Sequence, residues 1–222
     1  MSSGLGRTSL NQPNKAFIIG SGEDVPLFAP QISDDTLVIC ADGGAHHAQR
    51  WGIVPHIVLG DFDSLETDIT DWCQENDAEV IQFPIHKDKT DGELAVEVAL
   101  ERGVKKIAMT GVWGSRIDHS LANLDILCKL ALQGVGGELL TSAAHLYTAT
   151  DRIELNVERG DTISLLALSD KCEGVTVSGL YYPLENGTLI KGATLGISNK
   201  ATAERINITC SAGVLLVVHQ KK

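Results

Sequence analysis

Short apolar runs that alternate with helical patterns dominate the first 136 residues, and this alternation limits the fold more than any other feature. The runs are continuous and rich in β-branched residues, which is typical of strands buried on both faces of a sheet. They cover residues 16–20, 37–42, 56–61, 79–84 and 106–112. Strands that alternate with helices predict an α/β fold, with a parallel sheet between helical layers in a three-layer domain.

Two helices are marked clearly by the sequence. Thr90 and Glu93 form an S/T-x-x-E capping box, which predicts a helix that begins near Asp91. A longer helix is predicted over residues 118–133 and is expected to end at Gly134. Its apolar residues recur at i, i+3, i+7 and i+10 and line one face: Leu121, Leu124, Cys128 and Ala131.

The pattern changes after about Gly136, where helical periods disappear and short strands follow one another. Glycine and Asx residues separate these strands, as in the hairpins of a sandwich or a small barrel. The sequence therefore predicts a second, all-β domain. We expect a flexible N-terminal tail over residues 1–14, an α/β domain over 15–144 and a β-sandwich domain over 145–222.

Charge and hydropathy exclude two classes of partner. The chain has 18 Lys and Arg against 29 Asp and Glu, a net charge of −11, and nucleic-acid binding needs a basic surface. The longest apolar stretches are far shorter than the roughly 20 residues that a membrane helix needs. The polar first residues lack the apolar core of a signal peptide, so a cytoplasmic location is expected.

Aspartates follow four of the predicted strands. Because the carboxyl ends of parallel strands share one edge, where ligands bind in open α/β sheets, these side chains should lie around one crevice. Their mutual repulsion calls for a cation, and Mg²⁺ bound together with substrate phosphates is the simplest choice. The aspartates are Asp42, Asp61, Asp63, Asp88, Asp91 and Asp118.

Several of these aspartates have a second interpretation. Asp63, Asp91 and Asp118 precede predicted helices and could act only as N-caps. For Asp61 and Asp63 the metal interpretation is favoured, because a pair at i and i+2 can direct two oxygens at one ion. Asp42 could belong to a simple turn, although two following glycines also allow close approach of a ligand.

Basic residues are interleaved with the aspartates. Arg116 suits phosphate oxygens because its guanidinium can bind them in a bidentate manner. A salt bridge is the favoured interpretation for Lys87, and a structural role is the more frequent outcome for a lone histidine such as His119.

Six motifs together resemble those of the thiamin pyrophosphokinase family. Residues 179–184 and 196–199 are similar to its thiamin-side motifs, and the resemblance extends from about Phe17 to His219. The four N-terminal motifs are residues 41–45 (ADGGA), 60–65 (GDFDSL), 87–91 (KDKTD, followed by Glu93) and 114–123 (GSRIDHSLAN).

The resemblance implies a Mg²⁺-dependent enzyme that transfers the pyrophosphoryl group of ATP to the hydroxyl of thiamin, giving thiamin diphosphate and AMP. It also implies a homodimer, with each active site between the catalytic domain of one subunit and the β domain of the other. Two alternatives use the same aspartates, namely a pyrophosphokinase acting on another alcohol and a metal-dependent phosphoesterase. A protein that only binds a vitamin or nucleotide is a third.

The expected roles follow from these motifs. The metal ligands would be Asp61, Asp63, Asp88 and Asp91. The ATP side would comprise Asp42, Gly43, Lys89, Arg116 and His119, and the thiamin side would comprise Tyr182, Ser198 and Asn199. Asp118 would orient Arg116 or accept the proton of the attacking hydroxyl.

Overall fold

A computed structural model describes residues 12–60, 67–84 and 88–222. Asp61, Asp63 and Lys87 lie outside the described residues, as does most of the predicted tail. The elements of the first half are β1 (Lys15–Ile19), β2 (Thr36–Ala41), α1 (Gly44–Trp51), β3 (Ile57–Gly60), α2 (Thr67–Glu75), β4 (Glu79–Gln82), α3 (Asp91–Glu101), β5 (Lys106–Thr110), α4 (Ile117–Leu132) and β6 (Gly136–Leu140).

Six parallel strands form the first part of the main sheet, in the order β4-β3-β2-β1-β5-β6. Alternate residues of β1 point to opposite faces, with Ile18 in a core shared with α3 and α4 and Ile19 in a core shared with α1 and α2. Helices therefore cover both faces of the sheet. The predicted three-layer α/β architecture is confirmed.

The helix boundaries follow the sequence signals, but the buried face of α4 does not. The Thr90 hydroxyl accepts a hydrogen bond from the Glu93 N–H at 3.2 Å, so α3 has the predicted cap. Helix α4 buries Ser120, Asn123, Leu127, Leu130 and Ala131, so Ala131 alone of the predicted apolar stripe is fully buried. Leu124 of that stripe is partly buried against the core. Leu121 from that stripe is 56% exposed, because the helix turns two polar side chains inward to bind the preceding loop.

The second half consists only of strands. They are β7 (Ala144–Ala149), β8 (Arg152–Asn156), β9 (Thr162–Ala167), β10 (Lys171–Ser178), β11 (Leu184–Ile190), β12 (Asn199–Lys200), β13 (Arg205–Thr209) and β14 (Leu215–Gln220). In the described part of the chain, no helix is both long and apolar enough to cross a membrane.

The main sheet continues from the first half into the second. Strand β6 pairs with β7 antiparallel, and β14, β9 and β12 extend the sheet to ten strands. A four-stranded sheet, β11-β10-β13-β8, shares an apolar core with this extension, which confirms the β-sandwich. The division between residues 144 and 145 stays a prediction, and it falls inside a strand bonded to both halves.

Strand registers place one residue of β12 level with the carboxyl end of β5. A single row of paired residues crosses the sheet: Thr110, Leu140, His145, His219, Ile163 and Asn199. The edge that holds the ends of the parallel strands therefore also holds Asn199.

A buried hydrogen bond between His219 and Asp161 supports this region of the sheet. His219 of β14 lies 2.7 Å from the Asp161 carboxylate, which also accepts hydrogen bonds from the N–H groups of Glu158 and Lys222. Burial by itself would raise the pKa of Asp161, but these hydrogen bonds outweigh it and hold that pKa below its ordinary value. The backbone carbonyl of Asp161 accepts from Ala201, immediately after β12, so the pair supports the strand that carries Asn199.

We expect the substitution His219→Ala to lower the free energy of unfolding by about 3 kcal/mol, because it leaves the buried Asp161 carboxylate without its side-chain hydrogen-bond partner. Urea unfolding followed by circular dichroism measures this change.

The pH dependence of stability provides a second readout. The folded pKa of Asp161 lies below its unfolded value, so its contribution is fully present above about pH 4 and disappears as the pH falls through the folded value. The Asp161→Asn variant should therefore lose less stability than the wild type on acidification below pH 4. Equal acid dependence of the two proteins would contradict this role.

Candidate active site

A cleft of about 310 Å³ opens at the carboxyl ends of the parallel strands. Its walls come from the loops after β1, β2 and β5 and from the first turns of α3 and α4. Charged and polar side chains are concentrated in it: Ser21, Glu23, Asp42, Thr90, Asp91, Ser115, Arg116, His119, Ser120 and Asn123. The position agrees with the general site of ligand binding in open α/β sheets.

The floor of the cleft is built from backbone alone. Gly20 donates a hydrogen bond to the Thr110 carbonyl at 2.8 Å, and Gly22 donates to the Gly111 carbonyl at 2.7 Å. A Cβ on Gly20 would stand only 2.5 Å from the Gly111 oxygen, and Gly111 itself has a φ of +64°. The two loops can therefore touch only because glycine occupies these positions.

Asp42 directs its carboxylate toward the neighbouring strand. Its φ of +48° is left-handed, and its N–H donates to the Leu59 carbonyl at 2.8 Å. A Cβ on Gly60 would collide with the Asp42 Oδ1 atom, so the carboxylate lies against the end of β3. Asp61 follows Gly60 directly in the chain and lies outside the described residues.

Neither Asp91 nor Asp118 occupies the N-cap position of its helix. Thr90 caps α3, and the cap residue of α4 is Arg116. Asp91 lines the cleft, and Asp118 places Oδ2 3.5 Å from Nη2 of Arg116, which also lines it. The His119 N–H, followed by the Arg116 charge, lowers the pKa of Asp118, so this carboxyl is ionised at neutral pH.

Within the described residues, four of the residues predicted for the catalytic, metal and ATP side lie outside the cleft lining, namely Gly43, Asp88, Lys89 and Asp118. Lys89 Nζ binds both carboxylate oxygens of Glu97, at 2.7 and 2.8 Å, on the exposed side of α3. Asp88 is exposed, and Gly43 is the cap residue of α1. Their roles stay predictions, whereas Asp42, Asp91, Arg116 and His119 are brought together.

Ser120 and Asn123 were not singled out by the sequence analysis, yet they hold the wall formed by the β5–α4 loop. The Ser120 hydroxyl accepts from the Gly114 N–H and donates to the Arg116 carbonyl, both at 3.1 Å. The Asn123 amide donates to the Val112 carbonyl at 2.7 Å. The sequence signal that could have identified them is the three-residue spacing of these two polar residues within an otherwise apolar helix.

The second set of predicted residues forms a separate surface, which we call the Tyr182 surface and define as Tyr182, Ser198 and Asn199. The Asn199 side chain is only 7% exposed; Oδ1 accepts from the Tyr182 N–H at 3.0 Å, and Nδ2 donates to the Tyr182 carbonyl at 2.7 Å. Ser198 has a left-handed φ of +57°, and its N–H donates to Ser164 Oγ at 2.9 Å. The Tyr182 ring is 69% exposed and meets Tyr181 edge to face.

The cleft and the Tyr182 surface of one chain share an edge of the sheet but are far apart. Five strand-to-strand steps separate Thr110 from Asn199. At about 4.8 Å a step, this separation is on the order of 24 Å along the sheet.

The acidic residues of the cleft suit a hard divalent cation, although the predicted set is only partly described. Among residues 12–60, 67–84 and 88–222, no three His, Cys, Asp or Glu side chains lie close enough to form a metal site. Asp61 and Asp63 fall outside this range. Carboxylates such as those of Asp42 and Asp91 in the cleft are the oxygen donors that Mg²⁺ uses, so the donor chemistry fits this ion.

Comparison with known proteins gives a consistent result over both halves. The family model for the thiamin pyrophosphokinase catalytic domain matches residues 28–136, and the model for the vitamin B1 binding domain of the same enzyme matches residues 150–215. A thiamine pyrophosphokinase of Bacillus subtilis is 28% identical over 87% of this chain and 92% of its own length.

Solved structures agree with the sequence matches. The crystal structure of thiamine pyrophosphokinase from Bacillus subtilis superposes with a TM-score of 0.84 at 27% identity, covering 94% of this chain and 99% of that one. Thiamin pyrophosphokinase from Candida albicans, at 15% identity, shares the fold with a TM-score of 0.74, over 94% and 89% of the two chains. With both domain models matched in order, the chain belongs to the thiamin pyrophosphokinase family.

Proposed function

We propose that this protein transfers the pyrophosphoryl group of ATP to the hydroxyl of thiamin. The observation that supports this most directly is the cleft, where Asp42, Asp91 and Arg116 line one crevice in a chain whose two halves match the catalytic and vitamin-binding models. The thiamin hydroxyl oxygen forms a bond to the β-phosphorus of ATP and releases its proton to solvent, the bond from that phosphorus to the α-phosphate oxygen breaks, and AMP leaves. Positioning and charge neutralisation carry most of the catalysis in such transfers.

Mg²⁺ is the proposed cofactor, and Asp61, Asp63, Asp88 and Asp91 are its proposed ligands. When bound, the ion neutralises negative charge on the phosphoryl oxygens. Asp42, against the end of β3, adds a carboxylate on the nucleotide side of the cleft.

Arg116 is the proposed phosphate-binding cation, and Asp118 is its positioning partner. The lowered pKa of Asp118 makes this carboxylate a weak base, which favours orientation of Arg116 over removal of the hydroxyl proton. Ser120 supports the same arrangement by bonding the Arg116 carbonyl.

We infer that each complete site needs two copies of the chain. The cleft and the Tyr182 surface are separated by about 24 Å along the sheet, much more than one thiamin molecule spans. A homodimer in which the Tyr182 surface of one copy faces the cleft of the other brings Ser198 close to the nucleotide. A cytoplasmic location stays a prediction of the sequence.

An end-point assay tests the reaction itself. Purified protein incubated with thiamin, ATP and Mg²⁺ should release AMP and form thiamin diphosphate in equal amounts, as resolved by chromatography. Formation of ADP would indicate a monophosphate kinase. Phosphate release without thiamin would indicate the phosphoesterase alternative.

Mixed dimers test the shared site. Asp91→Asn impairs the cleft, whereas the double substitution Tyr182→Ala and Ser198→Ala impairs the other surface, so each protein alone should have little activity. When equal amounts of the two variants are mixed and their subunits exchange at random, half of the dimers contain one copy of each variant. Each such dimer has one intact site of two, so the mixture should recover about a quarter of wild-type activity. If both parts of a site came from one chain, mixing would restore nothing.

Asp63→Asn tests the metal ligands. The substitution keeps the side-chain volume and any N-cap hydrogen bond but removes one charge, so AMP formation should fall by about 100-fold or more with little change in the urea midpoint. An active Asp63→Asn enzyme would show that Asp63 only caps a helix.

A further inference from the structure

The loop that follows β1 is held by one side chain as well as by glycine contacts. His47 of α1 places Nε2 3.0 Å from the Gly22 carbonyl oxygen. A carbonyl only accepts hydrogen bonds, so Nε2 must carry the proton and donate it. The His47 ring packs on Trp51 one turn later, with ring centroids 5.9 Å apart, and Arg50 stacks over Trp51.

This hydrogen bond orients the peptide group between Gly22 and Glu23. In a trans peptide the C=O and the following N–H point in opposite directions. Since the Gly22 carbonyl points at α1, the Glu23 N–H points away from it, toward the β5–α4 loop. The Glu23 nitrogen is the heavy atom nearest to a Cβ built on Gly114, at 3.9 Å, and both residues line the cleft.

The same peptide N–H is available to a ligand. No hydrogen-bond acceptor for the Glu23 N–H occurs among residues 12–60, 67–84 and 88–222. The two other N–H groups of the loop that are directed at β5, those of Gly20 and Gly22, already donate to backbone carbonyls. A backbone donor at a cleft for a polyphosphate is suited to a phosphate oxygen, because such bonds to an anion are charge-assisted.

Partial burial lowers the pKa of His47, even though the Gly22 carbonyl favours its protonation. The ring is therefore neutral at pH 7, with Nδ1 as its unprotonated nitrogen. The contact requires one donor at the Nε2 position and no positive charge.

We propose that His47 is a positioning residue that turns the Gly22–Glu23 peptide so that the Glu23 N–H binds a phosphate oxygen of ATP. This inference rests on the proposed function only for the identity of the nucleotide. The contact itself predicts binding of any polyphosphate that occupies the cleft.

Two substitutions separate the hydrogen bond from packing. In His47→Gln the amide nitrogen can take the position of Nε2, whereas in His47→Asn it takes the position of Nδ1 and cannot reach the Gly22 carbonyl. We expect His47→Asn to weaken binding of Mg-ATP by about tenfold and His47→Gln to bind nearly as the wild type does. Calorimetric titration measures both, and urea midpoints confirm that the variants are folded.

Ligands that lack one part of ATP show which part of the nucleotide depends on the His47 hydrogen bond. Inorganic tripolyphosphate with Mg²⁺ should lose affinity for His47→Asn by the same factor as ATP, whereas the affinities for adenosine and thiamin should not change. In turnover, the KM for ATP should rise while the KM for thiamin stays the same.

Two results would overturn the proposal. Equal losses in His47→Gln and His47→Asn would show a packing role, and a loss for adenosine alone would place the effect at the base. Because titration needs no turnover, these outcomes are distinct from a failure of the proposed reaction, which would appear as a wild-type protein that binds Mg-ATP but forms no AMP.

Discussion

The antiparallel pairing of β6 with β7 is the contact on which the placement of both functional surfaces depends. Glu138 pairs with Tyr147 and Leu140 with His145, so the parallel sheet continues directly into the sandwich. If a flexible linker joined two separate domains, the distance between the cleft and the Tyr182 surface would not be fixed. The shared sheet instead fixes both on one edge, five strand-to-strand steps apart, and the proposed two-chain site depends on this separation.

The parallel sheet and its acidic edge could be predicted because both are properties of short sequence windows. Continuous apolar runs identify buried strands, and the chain direction alone places the following residues at one edge. The sandwich was predictable for the same reason. The sequence did not predict that one sheet of the sandwich continues the parallel sheet. The pairing of β6 with β7 depends on contacts that local sequence patterns do not record.

The buried face of α4 shows where hydrophobic periodicity fails. Counting apolar residues selects the side that contains Leu121, yet the helix buries Ser120 and Asn123 because their hydrogen bonds satisfy carbonyls and an N–H of the β5–α4 loop. Leaving these three backbone groups without partners would cost more than the burial of one leucine would gain. Function therefore changes the expected pattern at a helix that supports the wall of the cleft.

Asn199 shows how the chemistry of one amide limits what a predicted ligand can do. Its oxygen has two acceptor positions, and the N–H groups of Tyr182 and Lys200 occupy both. Its nitrogen donates one hydrogen to the Tyr182 carbonyl, so at most one N–H is left for a substrate, from a side chain that is 93% buried. The amide thus fixes the backbone beneath the exposed Tyr182 ring, and its oxygen has no acceptor position left for a further donor.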